Sequence, residues 1–305
     1  MRIAPISNFQ YKPNFKSTTR TTYISDSDGV FVLPTYNRQL QNTASFSTKK
    51  DVRMVASNST SFFRRDIDWK SIGSTFDSQF PKGKVNIYDF ACSDGSEAYS
   101  LIITLIEQLG EKKAQRFFPI VASDIDGEII SMANSGKIMA TQTDLFLMGN
   151  IIKDGKIKKY FSVTELGGDQ YLLSPKRILT KNVVFKQQPI SRGLDEIQKD
   201  EQNIILARNF WKYLSREEMA TASWKIGEKT NDKTLLVVGN FDIPRNEQTP
   251  FFLKALGYDS IRDLLNMNIL EFKKDRVNYN ATKNRETWQS YIASNYGGYI
   301  PSYIR

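Results

Sequence analysis

Histidine is absent from this 305-residue chain, and cysteine occurs once, as Cys92. Without histidine there is no imidazole acid or base, no serine–histidine triad and no supply of the commonest metal ligand. One cysteine excludes an intramolecular disulfide and any multi-cysteine metal site, so no metal centre is expected. Catalysis must therefore run on carboxylates, Lys, Arg, Tyr or the reactivity of a cofactor. Long apolar stretches are missing too: no run reaches the roughly 18 residues that a membrane span needs. The amino terminus lacks the apolar core of a secretory signal, which makes a cytoplasmic location the expectation. Neither G-x-G-x-x-G nor G-x-x-x-x-G-K-[ST] occurs. The dinucleotide fingerprint and the triphosphate loop are both excluded.

What is present is ordinary for a globular protein, with 40% apolar and 25% charged residues. The length suits one α/β domain with appendages. Net charge is +9, yet residues 1–50 alone hold seven basic residues (Arg2, Lys12, Lys16, Arg20, Arg38, Lys49, Lys50) against Asp26 and Asp28. More than half of the excess thus sits in a segment rich in Ser, Thr, Asn and Gln and interrupted by Pro5, Pro13 and Pro34. Residues 1–50 are expected to be a largely disordered basic tail, with only Gly29–Leu33 strand-like. A solvated tail accounts for such charge better than a nucleic-acid surface, so nucleic acid is not an expected partner.

The chain is organised around Val85–Ile102. Val85, Ile87, Tyr88 and Phe90 predict a buried strand, Ser93-Asp94-Gly95 a turn, and Leu101, Ile102, Leu105 and Ile106 one face of a helix stopped by Gly110. Phe117–Ser123 predicts a second strand ending at Asp124, with a helix to follow. Between 141 and 180 the pattern is mixed, and a hairpin of 160–163 with 171–173 turns on Gly167-Gly168-Asp169. Further strands are expected at 182–186, 202–207, 234–239 and 268–272, with a helix from the Ser215/Glu218 capping box and another at 251–256. Strands alternating with helices imply an open, mostly parallel sheet, whose ligands sit beyond the strand carboxyl ends. Glu97, Asp124, Arg208 and Asn209 all lie there. An acid at position 124 suits ribose hydroxyls, although a cap for the next helix is an equal reading. A turn with one glycine suits a nucleoside without a pyrophosphate.

Four segments then agree in order. Ala91-Cys92-Ser93-Asp94-Gly95-Ser96-Glu97-Ala98-Tyr99-Ser100 resembles the A-C-S-T-G-E-E-P-Y-S motif of the CheR-type methyltransferases, the chemotaxis-receptor glutamate O-methyltransferases. Asn58-Ser59-Thr60-Ser61-Phe62-Phe63-Arg64 is similar to that family's N-x-T-x-F-F-R, Ala122–Asp126 to its A-T/S-D-I-D, and Ala207–Leu214 to its C-R-N-V-x-I-Y-F. The resemblance implies a Rossmann-like S-adenosylmethionine-dependent methyltransferase sheet with helices on both faces, spanning residues 51–275, with 276–305 peripheral. It implies a cofactor site in which Asn58, Thr60 and Arg64 approach the methionine end and the reacting carboxylate. Glu97 binds near the amino-acid portion, Asp124 holds the ribose, and Arg208 and Asn209 close the pocket. Arg64 and Tyr213 are the implied catalytic residues, Arg64 orienting the carboxylate and Tyr213 lying near the transferred methyl. The implied partner is a protein with acidic side chains, in the family's case a chemoreceptor. Three departures stand out: Asp94-Gly95-Ser96 replaces T-G-E, Pro189 occupies the family's adenine-side Asn position, and the usual amino-terminal helical domain is not recognisable in residues 1–50. These keep open an alternative, a CheR-like binding or scaffold module without activity.

Overall fold

The computed structural model describes residues 60–65, 67–239 and 242, with four further strands at 22–26, 29–33, 256–260 and 269–277. The chain divides into two compact units, residues 1–59 and residues 60–305. In the first, β1 (Thr22–Asp26) and β2 (Gly29–Leu33) pair antiparallel with Ile24 opposite Phe31. Gly29–Leu33 is the expected strand; its partner was hidden in a Ser- and Thr-rich stretch with no apolar alternation. The remainder of the expected tail lies outside the described residues, as does the expected peripheral segment apart from the end of the last strand.

In the second unit α1 (Ile72–Gln79) precedes β3 (Val85–Phe90), α2 (Ser96–Leu109), a short α3 (Glu111–Ala114), β4 (Ile120–Asp124) and α4 (Gly127–Ser135). An insertion follows, made of β5 (Ile138–Thr141), α5 (Gln142–Ile151), β6 (Phe161–Gly167), β7 (Gln170–Pro175) and α6 (Arg177–Thr180). The main series resumes with β8 (Val183–Gln187), α7 (Ile190–Asp195), β9 (Gln202–Ala207), α8 (Arg216–Lys229), β10 (Thr234–Val238), β11 (Leu256–Ser260) and β12 (Ile269–Val277).

Seven of these strands form one sheet in the order β11-β12-β10-β9-β3-β4-β8. From β8 to β10 all neighbours are parallel, and β12 pairs antiparallel with both β10 and β11. The chain steps outward from β3 to β4 and β8, then returns to β9 and β10 on the other side. The reversal lies between β3 and β9, and in open sheets of this kind the carboxyl ends of the strands at such a point are where ligands bind.

Residue alternation assigns the two faces. Val85, Ile87, Ile120, Ala122, Ile204, Leu206, Leu235 and Val237 bury one face against α1 and α2. Tyr88, Phe90, Ile205, Ala207, Leu236 and Val238 bury the other against Leu194 of α7 and Met219, Ala220 and Ile226 of α8. The helices on both faces follow from this period of two. On α2, Leu101, Ile102, Leu105 and Ile106 are all buried, each stabilising the fold by about 1.5–3 kcal/mol.

Three expectations need correction. The helix at 251–256 lies mostly outside the described residues, but Leu256 opens strand β11. A short apolar run does not distinguish the two states by itself. The second strand begins at Ile120, because Gln115–Phe117 forms a 3-10 turn closed by the Phe118 N–H on the Gln115 carbonyl. The insertion is larger than a hairpin: β6 and β7 turn where Gly167–Asp169 predicted, but β5 adds a third strand, pairing Ala140 with Tyr171.

Candidate functional site

The turn after β3 is built from unusual backbone. Ala91, Ser93 and Gly95 all have positive φ, at 57°, 52° and 85°. For the two non-glycine residues this conformation costs about 1–2 kcal/mol each. Glycine is needed at 95, where a Cβ would come within 2.5 Å of the Phe185 ring. The turn is fixed from the neighbouring strand: the Cys92 N–H donates to the Ser123 carbonyl, and the Ser93 N–H to Asp124 Oδ2 at 3.0 Å. Asp94 Oδ1 accepts the Ser96 N–H at 2.9 Å, so this departure from the family motif serves the amino end of α2. Burial raises the Asp94 carboxyl above its ordinary value, and the hydrogen bonds from Ser96 oppose that. Cys92 is buried, and that burial pushes its thiol well up, as suits a packing residue.

Asp124 is not the helix cap. Asp126 caps α4, accepting the Glu128 and Ile129 N–H groups, whereas Asp124 Oδ1 accepts the Asp126 N–H at 3.0 Å. Each Asp124 oxygen so keeps a further acceptor site, at the end of β4 and beside the turn that carries Gly95.

Glu97, in the first turn of α2, forms an ion pair with Arg208 at the end of β9. Their side chains are only 12% and 1% exposed, so the pair bridges the reversal point out of water. Asn209 follows with a φ of 59°. Asp242 holds that bend by accepting the N–H groups of both Asn209 and Gly239. Trp211 donates from Nε1 to the Ala207 carbonyl at 2.9 Å. Tyr213 ends the next 3-10 turn and is 44% exposed, outside the buried cluster.

The segment from Thr60 to Arg65 is pinned down by its neighbours. The Phe62 N–H donates to Asp144 Oδ1 at 3.1 Å, and the Phe63 N–H to Ser100 Oγ of α2 at 3.0 Å. Phe62 meets Phe161, and Phe63 meets Trp69, each edge to face at 5.5 Å. The Arg64 carbonyl accepts from Trp69 Nε1 at 2.8 Å. Thr60 and Arg64 are thereby held near the amino-terminal half of α2. Asn58 lies outside the described residues.

One residue of the cluster escaped the sequence reading. Asp89 is 1% exposed, and its Oδ2 has no hydrogen-bond partner. It sits on β3 beside Leu206 of β9 and Ala122 of β4, on the face that also carries Asp124 and Arg208. Burial holds its carboxyl well above the ordinary value; Glu97 adds to this, Arg208 opposes it and Asp124 adds again. An aspartate in register with the buried Val85 and Ile87 of the same strand was the available signal. Three carboxyl groups against one guanidinium suit a ligand with a cationic group. The partnerless, buried Ser93 Oγ adds a polar group at the same turn. Gln188, preceding Pro189, is also buried with its Nε2 unpartnered, and its N–H donates to the Asp124 carbonyl at 2.9 Å.

Residues 58–254, which contain every element of this site, match the family model described as CheR methyltransferase, SAM binding domain. The chain belongs to the CheR methyltransferase family. A chemotaxis protein methyltransferase from Listeria monocytogenes is 23% identical over 191 residues, covering 62% of this chain and 66% of that protein. Chemotaxis protein methyltransferase 2 of Vibrio cholerae is 25% identical over 182 residues, covering 58% and 59%. The CheR-like chain thus spans about three-fifths to two-thirds of the length of these curated relatives. Among solved structures, the magnesium protoporphyrin IX methyltransferase of Synechocystis with bound SAM is similar at 11% identity, covering 63% of this chain and 67% of that one, with a TM-score of 0.33. The sheet order and the family model carry the Rossmann-like assignment, and this CheR domain is a SAM-binding one. Among the described residues no helix is long and apolar enough to cross a membrane.

Proposed function

We infer that this chain is an S-adenosylmethionine-dependent methyltransferase of the CheR type, acting on side-chain carboxylates of a protein. The observation that carries the reading is the Ala91–Ser100 turn, which lies within the matched family domain and brings Glu97, Asp124 and Arg208 together at the sheet's reversal point.

Glu97 and Arg208 hold the cofactor's zwitterionic amino-acid end, the carboxylate of one and the guanidinium of the other each offering a complementary charge. Asp124 accepts ribose hydroxyls with the acceptor sites its two backbone bonds leave over. Asn58, Thr60 and Asn209 complete the cofactor contacts. When bound, S-adenosylmethionine would supply a sulfonium-activated methyl group for transfer to a carboxylate. A glutamate substrate is already ionised near neutral pH, so the chain needs no general base and can lack histidine. Its task is alignment and exclusion of water. Arg64 orients the incoming carboxylate, being always charged and able to bind both oxygens. Tyr213, on the exposed turn, faces the substrate side. The full set of charged groups for the cofactor argues against an inactive scaffold. The partner we propose is an acidic protein, with a chemoreceptor the family's example, and the location cytoplasmic.

Incubation with methyl-labelled S-adenosylmethionine and acidic helical proteins tests this. Label that enters protein and leaves as volatile methanol on mild alkaline treatment is the expected result, since carboxyl methyl esters are base-labile. Failure to bind S-adenosylhomocysteine at millimolar concentration would overturn the reading.

A further inference from the structure

The inserted segment reaches the residue 60–65 stretch through a buried side chain, the carboxylate of Asp144. It lies in the first turn of α5, and both its oxygens are engaged. Oδ2 accepts the Thr141 N–H at 2.8 Å and the Thr141 hydroxyl at 2.7 Å, while Thr141 Oγ1 accepts the Asp144 N–H at 3.2 Å. This reciprocal capping box fixes the amino end of α5, and with it the direction of the carboxylate. The other oxygen is thereby aimed at a segment 82 residues away in the chain, where Oδ1 accepts the Phe62 N–H at 3.1 Å.

The next N–H is met in the same way. Ser100 Oγ, held by donating to the Ser96 carbonyl at 2.7 Å, accepts the Phe63 N–H at 3.0 Å. Two consecutive backbone N–H groups thus end on two pre-oriented side chains, one from α5 and one from α2. Immediately before Arg64 the chain turns sharply, because Phe63 has a φ of 49°. A bulky L residue seldom adopts that left-handed conformation, since its Cβ crowds the following carbonyl. Left free, Phe63 would relax to negative φ and redirect Arg64. Phe62 and Phe63 are both buried, so neither N–H can leave its acceptor without becoming an unmet donor.

This inference rests on the function proposed above, in which Arg64 orients the acceptor carboxylate. We propose that Asp144 is a positioning residue for methyl transfer, which locks the left-handed turn at Phe63 and so aims Arg64. Asp144 itself touches neither cofactor nor acceptor. The insertion thereby sets the geometry of the substrate side of the site.

Two substitutions separate this role from helix capping. Thr141→Val removes the cap hydroxyl but leaves the backbone N–H that holds Oδ2. Asp144→Glu keeps the capping box, whose usual form has glutamate there, but moves the carboxylate off the Phe62 N–H. The Trp69 indole reports the turn without any acceptor substrate, since its Nε1 donates to the Arg64 carbonyl and its ring meets Phe63. Trp69→Phe identifies its signal among the four tryptophans in proton–nitrogen NMR spectra. D144E should shift that resonance. It should also lower kcat for methyl transfer to a glutamate-rich helical peptide by about ten- to a hundredfold, with S-adenosylhomocysteine affinity falling no more than about fivefold. T141V should lower the urea midpoint and leave both the resonance and the turnover as they were. Full turnover in D144E, an unmoved resonance there, or equal losses in T141V overturns the proposal and leaves the function reading standing. If the peptide takes no methyl from the unaltered chain, the indole resonance decides between the two variants. Failure of the unaltered chain to bind S-adenosylhomocysteine overturns the function reading and this one with it. Should D144E fail to fold by circular dichroism, Asp144→Ala measured against T141V takes its place.

Discussion

At the scale of single residues, the two acids of the β4 end illustrate how position separates chemistry from scaffolding. Asp126 spends its carboxylate on the Glu128 and Ile129 N–H groups, and Asp124 spends only part of its own on Ser93 and Asp126. Asp124→Ala should therefore lower affinity for S-adenosylhomocysteine by more than about a hundredfold while costing about 1–3 kcal/mol of stability through two orphaned N–H groups; calorimetry and urea unfolding read the two effects. On the proposed role for Arg64, orienting the substrate carboxylate, Arg64→Ala should leave that affinity within about threefold and reduce turnover by about a hundredfold. Equal, negligible effects of both would mean that these roles sit elsewhere. Arg208→Ala belongs to another class. It breaks the buried ion pair with Glu97, and breaking such a pair costs about 3–5 kcal/mol, which urea unfolding reads.

Elements are joined by a few polar ties, and α2 shows them best. Its last turns carry Glu107, which accepts from Lys159 Nζ at 2.6 Å, from the Tyr160 hydroxyl at 2.5 Å and from the Lys153 N–H at 3.0 Å. These bonds fasten the inserted segment to the main domain. Burial pushes the Glu107 carboxyl up, but the bonds from Lys159, Tyr160 and Lys153 and the Lys159 charge outweigh it, holding the group below its ordinary 4.5. The unfolded chain then takes up this proton first as pH falls. The stabilisation is complete above about pH 5 and is lost as pH drops through 4.5 and below. Urea midpoints measured from pH 3 to 7 should fall more steeply at the acid end for the unaltered chain than for Glu107→Gln, whose midpoint should already be lower at pH 7. The amino end of α2 depends on Gly95 instead. Gly95→Ala imposes a left-handed backbone on alanine and drives its Cβ against Phe185, at a cost of about 1–3 kcal/mol. It should also weaken S-adenosylhomocysteine binding, because the turn is the floor of the site.

For the whole molecule, the seven-stranded sheet with its two buried faces lies within residues 60–305, and the basic excess of residues 1–50 lies outside it. A chain beginning at Asp51 should keep the urea midpoint and the cofactor affinity of the full chain, with net charge falling from +9 to +4. A midpoint lowered by more than about 1 kcal/mol equivalent would show that the leading segment contributes to the fold.

The sequence by itself determined the chemistry that could occur and the turn that would host it. Missing histidine left carboxylates, Lys, Arg, Tyr or a cofactor's reactivity to carry any catalysis, the ordered motifs added the resemblance to one family, and the Val85–Ile102 pattern placed strand, turn and helix within a residue or two. Local periodicity suffices for such elements because each buries a regular stripe of its own residues. Pairings between distant segments are different, since short strands carry almost no local signal. Thus β5, four residues long, and β11 emerge only from their partners β7 and β12. The same holds for charge. That Glu97 pairs with Arg208, that Asp126 rather than Asp124 caps α4, and that Asp89 lies buried beneath them were decided by the tertiary structure. A carboxylate's state depends on what surrounds it in space, and only the folded sheet brings β3, β4, β9 and α2 to one crevice.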